Sequence, residues 1–193
     1  AGVLGVGYPE DVGGGGGDLT HVLCAADEMV VAGRSVGTAV GLGSHGIALP
    51  PIVRFGTDEQ KRRFAVPVLR GEKVAALAIT EPGGGSDVAA IQTRAVRRGD
   101  EYVISGSKTF ITSGCRADLV TTAVRTGGEG HAGVSILVVE RGTPGFEVSR
   151  KLKKTGWWAS DTAELRFDGC RVPVENLIGA ENQGFLAIVQ NFV

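Results

Sequence analysis

At Val74 the hydrophobic pattern of the chain changes period, and this change limits the folds open to it. Upstream, apolar residues recur at the helical spacing of about 3.6 residues; downstream they alternate, with β-branched and aromatic residues between turn signals. In the upstream part Asp18 can cap a helix whose Leu19, Val22, Leu23, Ala26, Met29 and Val30 form one stripe, with Gly33 placed to end it. That stripe predicts a face turned to a core. Ser35 to His45 is small and apolar, through Val36, Ala39, Val40 and Leu42. A helix there can lie close to another backbone, either in core packing or beside an apolar ligand. Thr57-Asp58-Glu59-Gln60 has the pattern of a capping box, opening a short helix that Pro67 should interrupt and Gly71 close.

Downstream, strands are expected over Val74 to Thr80, Ile91 to Val96, Tyr102 to Ser105, Lys108 to Thr112, Leu119 to Arg125, Val134 to Glu140, Phe146 to Val148 and Ala163 to Asp168. Tight turns at Arg98-Gly99-Asp100 and Ser105-Gly106-Ser107 would link the second, third and fourth. Many short strands after a helical block predict an α+β fold, an N-terminal helical segment followed by an antiparallel β-barrel or sandwich domain. A Rossmann fold is excluded because no G-x-G-x-x-G joins a strand to a helix. Glu181 to Val193 returns to helical spacing with Phe185, Ile188, Val189 and Phe192 on one face, which needs something to pack against. The expected organisation is a helical part over residues 1–72, a β domain over 73–176 and the start of a C-terminal helical domain over 177–193.

A net charge of −1, from 20 basic and 21 acidic residues with no long run of either sign, argues against a nucleic acid or a membrane surface as partner. No apolar stretch reaches membrane-spanning length, and Ala1 to Pro9 lacks the basic start and apolar core of a signal peptide. Cys24, Cys115 and Cys170 are widely separated, as expected of reduced thiols in a cytoplasmic protein. His21, His45 and His131 show no H-x-x-x-H spacing, so no metal site is expected. The run Gly13 to Gly17 reads as a flexible connector, because no strand precedes it.

The stretch that says most about chemistry is Ala78-Ile79-Thr80-Glu81-Pro82-Gly83-Gly84-Gly85-Ser86-Asp87. An apolar strand would deliver Thr80 to a sheet edge, where Pro82 and three glycines turn the chain, the glycines permitting positive φ and close backbone approach. Such a loop can aim successive N–H groups at an anion while Thr80 and Ser86 supply hydroxyls, which suits a phosphate-bearing cofactor better than a metal. A purely structural turn after a strand accounts for the same residues.

Four ordered motifs carry a resemblance. Thr80 to Asp87 matches T-E-P-x-x-G-S-D, and Gly106-Ser107-Lys108-Thr109-Phe110-Ile111-Thr112-Ser113-Gly114 is similar to G-x-K-x-[WF]-I-T-[NS]-G. Gly156-Trp157-Trp158-Ala159-Ser160-Asp161-Thr162 follows G-x-x-x-S-D-T, and Val172-Pro173-Val174-Glu175-Asn176 with Ile178-Gly179 follows V-P-x-E-N-x-[IL]-G. Phe55 to Lys61 adds a weaker match. Together they resemble the acyl-CoA dehydrogenase family of flavoproteins over nearly the whole chain.

The resemblance implies FAD as cofactor, bound by Leu77, Ala78, Ile79, Thr80, Glu81, Pro82, Gly83, Gly84, Gly85 and Ser86 along the ring and pyrophosphate, with Thr80 at the pyrimidine edge. Ser86 would also meet the acyl-CoA substrate. Phe110, in the place of the usual tryptophan, would cover the flavin beside Ile111, and Thr112 would donate its hydroxyl near N5. Asp161, Thr162, Pro173 and Asn176 are expected to fix turns, Lys108 to be solvated or salt-bridged, and Trp157 and Trp158 to pack between domains. The implied reaction is α,β-dehydrogenation of an acyl-CoA thioester to the trans-2-enoyl-CoA, with electrons passed to an electron-transferring flavoprotein, in a full-length homo-oligomer. In the family the catalytic base is a glutamate of a C-terminal helical bundle. Its sequence would follow Val193, so the chain is expected to be a partial family member with no catalytic residue of its own. Alternatives are an acyl-CoA oxidase or related flavin monooxygenase of the same fold, or a non-catalytic CoA-ligand-binding remnant.

Overall fold

A computed structural model of the chain describes residues 2–192; Ala1 and Val193, the last residue of the expected terminal helix, lie outside the described residues. Helices α1 (Leu19–Gly33), α2 (Val36–Leu42), α3 (His45–Ala48), α4 (Pro50–Phe55), α5 (Asp58–Gln60) and α6 (Val66–Leu69) precede the sheet, and α7 (Gly184–Val189) follows it. The strands are β1 (Ala75–Ala78), β2 (Arg94–Arg98), β3 (Glu101–Thr112), β4 (Leu119–Arg125), β5 (Val134–Glu140), β6 (Phe146–Lys151), β7 (Thr162–Pro173) and β8 (Leu177–Ile178). Their order is β6-β7-β3-β2-β4-β5-β8, with β1 laid parallel against β4. Apart from β1–β4 and a single Arg94–Arg125 bridge, the pairings are antiparallel. The architecture is the α+β arrangement that the change of period at Val74 predicts.

Residues on β4 and β5 alternate between two cores. Leu119, Ala123, Val134, Ile136 and Val138 face the helices and pack with Leu49, Ile52, Phe64, Val68 and Ile188. Val120, Val124, Leu137 and Val139 face the other way, into a core with Tyr102, Ile104, Leu165, Phe167 and Val172. Fully burying an aliphatic or aromatic side chain of this size contributes about 2 kcal/mol. Polar atoms join the layers as well. The Gln60 side chain, part of the Thr57–Gln60 capping box, donates to Glu175 O at 2.7 Å and Leu177 O at 2.8 Å. Thr121 donates from β4 to Ala48 O at 2.8 Å.

Five expectations are corrected. Ser105-Gly106-Ser107 is no turn: β3 runs unbroken from Glu101 to Thr112, with a bulge against β7 where the register shifts between Ile104 and Gly106. Gly106 sits at φ 149, and a Cβ there would lie 2.7 Å from Thr93 Cα, so the glycine serves close strand approach. The stripe on α1 does not face a core; Asp18 caps it as expected, yet Leu19 and Leu23 are exposed and no α1 residue is buried. A helical period declares that a face exists, not that the chain supplies its cover. Pro67 does not interrupt its helix. The helix widens into a π-helical turn over Lys61–Ala65 just ahead of the proline, which accommodates the missing N–H.

The Gly13–Gly17 run is no flexible connector either. Gly14, Gly15, Gly16 and Gly17 donate to Pro9 O, Gly5 O, Tyr8 O and Val6 O, and a Cβ on Gly14 would lie 2.0 Å from Tyr8 O. Finally, the terminal helix is shorter than its apolar pattern, covering Gly184–Val189, with Ile188 buried and Val189 and Phe192 exposed.

Replacing Gly106 by alanine should lower stability by about 2 kcal/mol, since a left-handed backbone and a Thr93 clash act together. Gly83→Ala, with nothing within 4 Å of the added carbon, should shift it by less than about 0.5 kcal/mol. Urea unfolding of the two variants checks the contrast.

Candidate functional site

The loop after β1 turns back at once. Glu81 N–H donates to Gly84 O at 2.9 Å and Gly84 N–H to Glu81 O at 3.1 Å, closing a turn over Pro82 and Gly83. None of Gly83, Gly84 and Gly85 takes a positive φ, so left-handed backbone is not what these glycines supply to the turn. Close approach is used at Gly85, where a Cβ would meet Thr80 Cγ2 at 2.9 Å. Among the described residues the N–H groups of Gly85, Ser86 and Asp87 have no acceptor, and neither do the N–H and hydroxyl of Thr80. These donors are free to meet an anion or a polar ring edge.

Strand β3 runs beside this loop. Thr109 N–H donates to Thr80 O at 2.9 Å, which brings the Phe110–Thr112 segment next to Thr80. Phe110 has φ 59 and is 67% exposed. A bulky aromatic in left-handed backbone, turned to solvent from a strand, is a costly arrangement that functional sites retain. Ile111 is buried in the sheet core, while Thr112 is half-buried with no partner for its hydroxyl among the described residues. Of the strand residues before the loop, Ala78 and Ile79 are buried and Leu77 is half-buried.

Glu81 and Lys108 have a role that neither residue type announces. Lys108 is fully buried and donates to Ile79 O and Glu81 Oε1, both at 2.9 Å. The Glu81 carboxylate also accepts from Gln92 N–H at 2.6 Å and Thr93 N–H at 2.8 Å. Burial pushes the Lys108 ammonium down to about 8, with Glu81 opposing the fall. Burial alone would raise the Glu81 carboxyl, but the Lys108 charge and the donated hydrogen bonds outweigh it and hold the group below its ordinary value. Lys108 is therefore salt-bridged rather than solvated, and the Glu81 carboxylate is committed inward. The signal that could have found the pair is a lysine between Ser107 and Thr109 in a strand whose alternation puts it on the core face.

Two clefts flank the loop. One, of about 570 Å³, is lined by Pro82, Gly83, Gly84, Asp87, Gln92 and Ser107 among others. The other, of about 330 Å³, is more apolar and runs from Ser86, Val88 and Ala89 to Phe185, Ile188, Val189 and Phe192 on and after α7.

The remaining motifs fix the frame. Asp161 accepts from Cys115 N–H and Arg116 Nε at 2.8 Å each, and Asn176 donates to Val138 O at 2.7 Å. Gly37 and Gly41 let α2 lie against the 157–160 backbone, with an added Cβ 3.1 Å from Trp157 Cα and from Ala159 O. The rings of Trp157 and Trp158 are nevertheless exposed, 56% and 80%, so they do not pack between domains here. Arg125, which the sequence did not single out, fastens the segment after the loop by donating to Ile91 O at 2.8 Å and Ala89 O at 2.6 Å.

The family description of the acyl-CoA dehydrogenase middle domain matches residues 76–170, and that of the acyl-CoA dehydrogenase N-terminal domain matches residues 1–72. The chain is 42% identical over 182 residues to a mitochondrial isobutyryl-CoA dehydrogenase of Bos taurus, covering 94% of this chain and 43% of that protein. A crystal structure of a probable acyl-CoA dehydrogenase from Mycobacterium abscessus superimposes with TM-score 0.97 at 56% identity, covering 99% of this chain and 51% of that one. An acyl-CoA dehydrogenase complexed with FAD from Bacillus anthracis gives TM-score 0.90 at 36% identity, covering 98% and 33%. The chain thus spans about half the length of the curated relatives it matches.

Glu81→Gln should cost about 3 kcal/mol at neutral pH, because it leaves a buried ammonium without its counter-charge. The pH dependence of the wild type has two parts. Stability owed to Glu81 is complete above its ordinary value of 4.5 and is lost as pH falls through the lower native value. Lys108 releases its proton near pH 8 in the native chain and near 10.5 when unfolded, so stability rises with pH across that window. Urea midpoints measured against pH check both slopes, which a Lys108→Met/Glu81→Gln double variant should flatten.

Proposed function

Because the chain belongs to the acyl-CoA dehydrogenase family, we propose that it forms the loop-bearing half of an FAD site in an enzyme converting an acyl-CoA thioester to the trans-2-enoyl-CoA. The observation that carries this reading is the juxtaposition of unpartnered donors at Thr80, Gly85 and Ser86 with an exposed, left-handed Phe110 one strand away. The donor set suits the group. Free main-chain N–H groups suit a diphosphate, Thr80 and Thr112 can donate to the polar atoms of an isoalloxazine, and Phe110 offers an aromatic face. Bound FAD would supply the hydride acceptor.

The chain's own residues then hold, orient and shield. Thr80, presented by β1 and fixed through Thr109, orients the ring edge, while Phe110 excludes water from one face. Ser86 lines the apolar cleft formed with α7, where an acyl-CoA ligand would gain both a hydroxyl contact and an apolar wall. Proton abstraction is assigned to none of the described residues. Glu81, the carboxylate within the loop, already accepts from Lys108, Gln92 and Thr93 and carries a lowered pKa, which makes it a poor base. Electron-transferring flavoprotein is the proposed acceptor, on the strength of the family resemblance.

Titration of the purified chain with FAD, read by flavin fluorescence, should show binding without dye-linked oxidation of an acyl-CoA. Phe110→Ala should weaken that binding about tenfold, or roughly 1.4 kcal/mol. A wild-type chain that leaves flavin fluorescence unchanged would sink the reading. Turnover by the chain alone would overturn the assignment of no base, and peroxide formed under air during that turnover would favour an oxidase.

A further inference from the structure

Lys108 places its ammonium on two groups at the entry to the glycine loop, the Glu81 carboxylate and a main-chain carbonyl of the preceding strand end. Replacing a buried ion pair by apolar residues of similar volume is often neutral or stabilising, so the pair is not explained by the stability it adds. Its second contact is more telling. Besides Glu81 Oε1, the ammonium donates to Ile79 O at 2.9 Å. That carbonyl and the Thr80 N–H are the two ends of one planar, resonance-coupled peptide. A charge-assisted hydrogen bond on the oxygen draws electron density from the nitrogen and strengthens the N–H as a donor. Among the described residues that N–H has no acceptor, while the next carbonyl, Thr80 O, is fixed by Thr109 N–H at 2.9 Å.

We propose that Lys108 is a positioning residue of the flavin site, fixing the entry to the Thr80–Ser86 loop and polarising the Ile79–Thr80 peptide so that the Thr80 N–H binds an electron-rich ring atom. The inference rests on the flavin reading above. Glu81 holds the ammonium in place and is itself held by Gln92 and Thr93, so the loop is tied to the two residues just ahead of β2 as well as to β3. Few other charges act on the pair. Across the β3–β7 ladder Lys108 faces the buried Leu165, and the flanking Glu164 and Arg166 are engaged with Arg150 and with Asp168 and Glu147. From the loop, Asp87 lines the same cleft as Glu81 but is exposed. Nothing titratable on β1 or β4 belongs to the cores around it.

The test follows the Thr80 amide proton by NMR in the isotope-labelled wild-type chain as pH is raised. Its shift should titrate with Lys108, with a midpoint near pH 8, and FAD affinity should fall about tenfold over the same range. The Lys108→Met/Glu81→Gln double variant removes both charges together, since Lys108→Met alone would strand the Glu81 carboxylate. It should show no titrating Thr80 signal and should bind FAD at all pH values as weakly as the wild type does at high pH. A wild-type Thr80 signal indifferent to pH, or FAD affinity equal in both proteins, would overturn the role of Lys108 while leaving the flavin reading intact. Failure of the wild type to bind FAD at any pH would overturn that reading and this role with it.

Discussion

Both faces of the β4–β5 ladder are apolar, and the molecule is assembled outward from that pair of strands. Seven registered residue pairs, Leu119–Glu140 to Arg125–Val134, close the edge the two strands share, and every residue of either strand except Arg125 and Glu140 is buried. One face receives the helices and α7; the other closes a second core with β3 and β7. With β5 along one edge of β4, β1 takes the other edge, running parallel from Ala75 opposite Leu119 to Ala78 opposite Thr122, and so ends beside the middle of β4. The loop at Thr80 follows from there, with β3 alongside. The candidate site is thus located by sheet packing before any of its own residues act.

Electrostatics refine what packing locates. A single buried ammonium bonds one main-chain carbonyl and one carboxylate, and that carboxylate reaches two further main-chain amides. Short-range contacts of this kind hold a loop whose own sequence, rich in glycine, offers little rigidity. The loop is therefore ordered from beneath, which leaves its outer donors unspent.

Much of this was legible in the chain. Caps such as Asp18 and Thr57 are local devices that depend on residues three positions away, so they read directly. Strands β4 and β5 match their apolar runs because turn residues bound them on both sides. What was hidden depends on distant partners. The burial of Lys108 is decided by Glu81, 27 positions earlier, and Gly106 looks like a turn residue until Thr93 is seen pressed against it. The exposed stripe of α1 misled for the opposite reason, since periodicity records a preference for burial and not its fulfilment. For the site, the glycine loop and the Phe110–Thr112 segment stood out by motif, whereas the left-handed backbone at Phe110 has no local signature.

The packed Gly13–Gly17 tract bears on how the chain can be cut, spliced or mutated. Composition alone would choose it as the natural seam for a tag, a fusion joint or a protease site, in the way that glycine-rich tethers are used between domains. Its amides instead lie in a groove of carbonyls from Gly5 to Pro9 too narrow for a single methyl group at Gly14. The tract that looks most permissive in the sequence is thus among the least permissive in the fold.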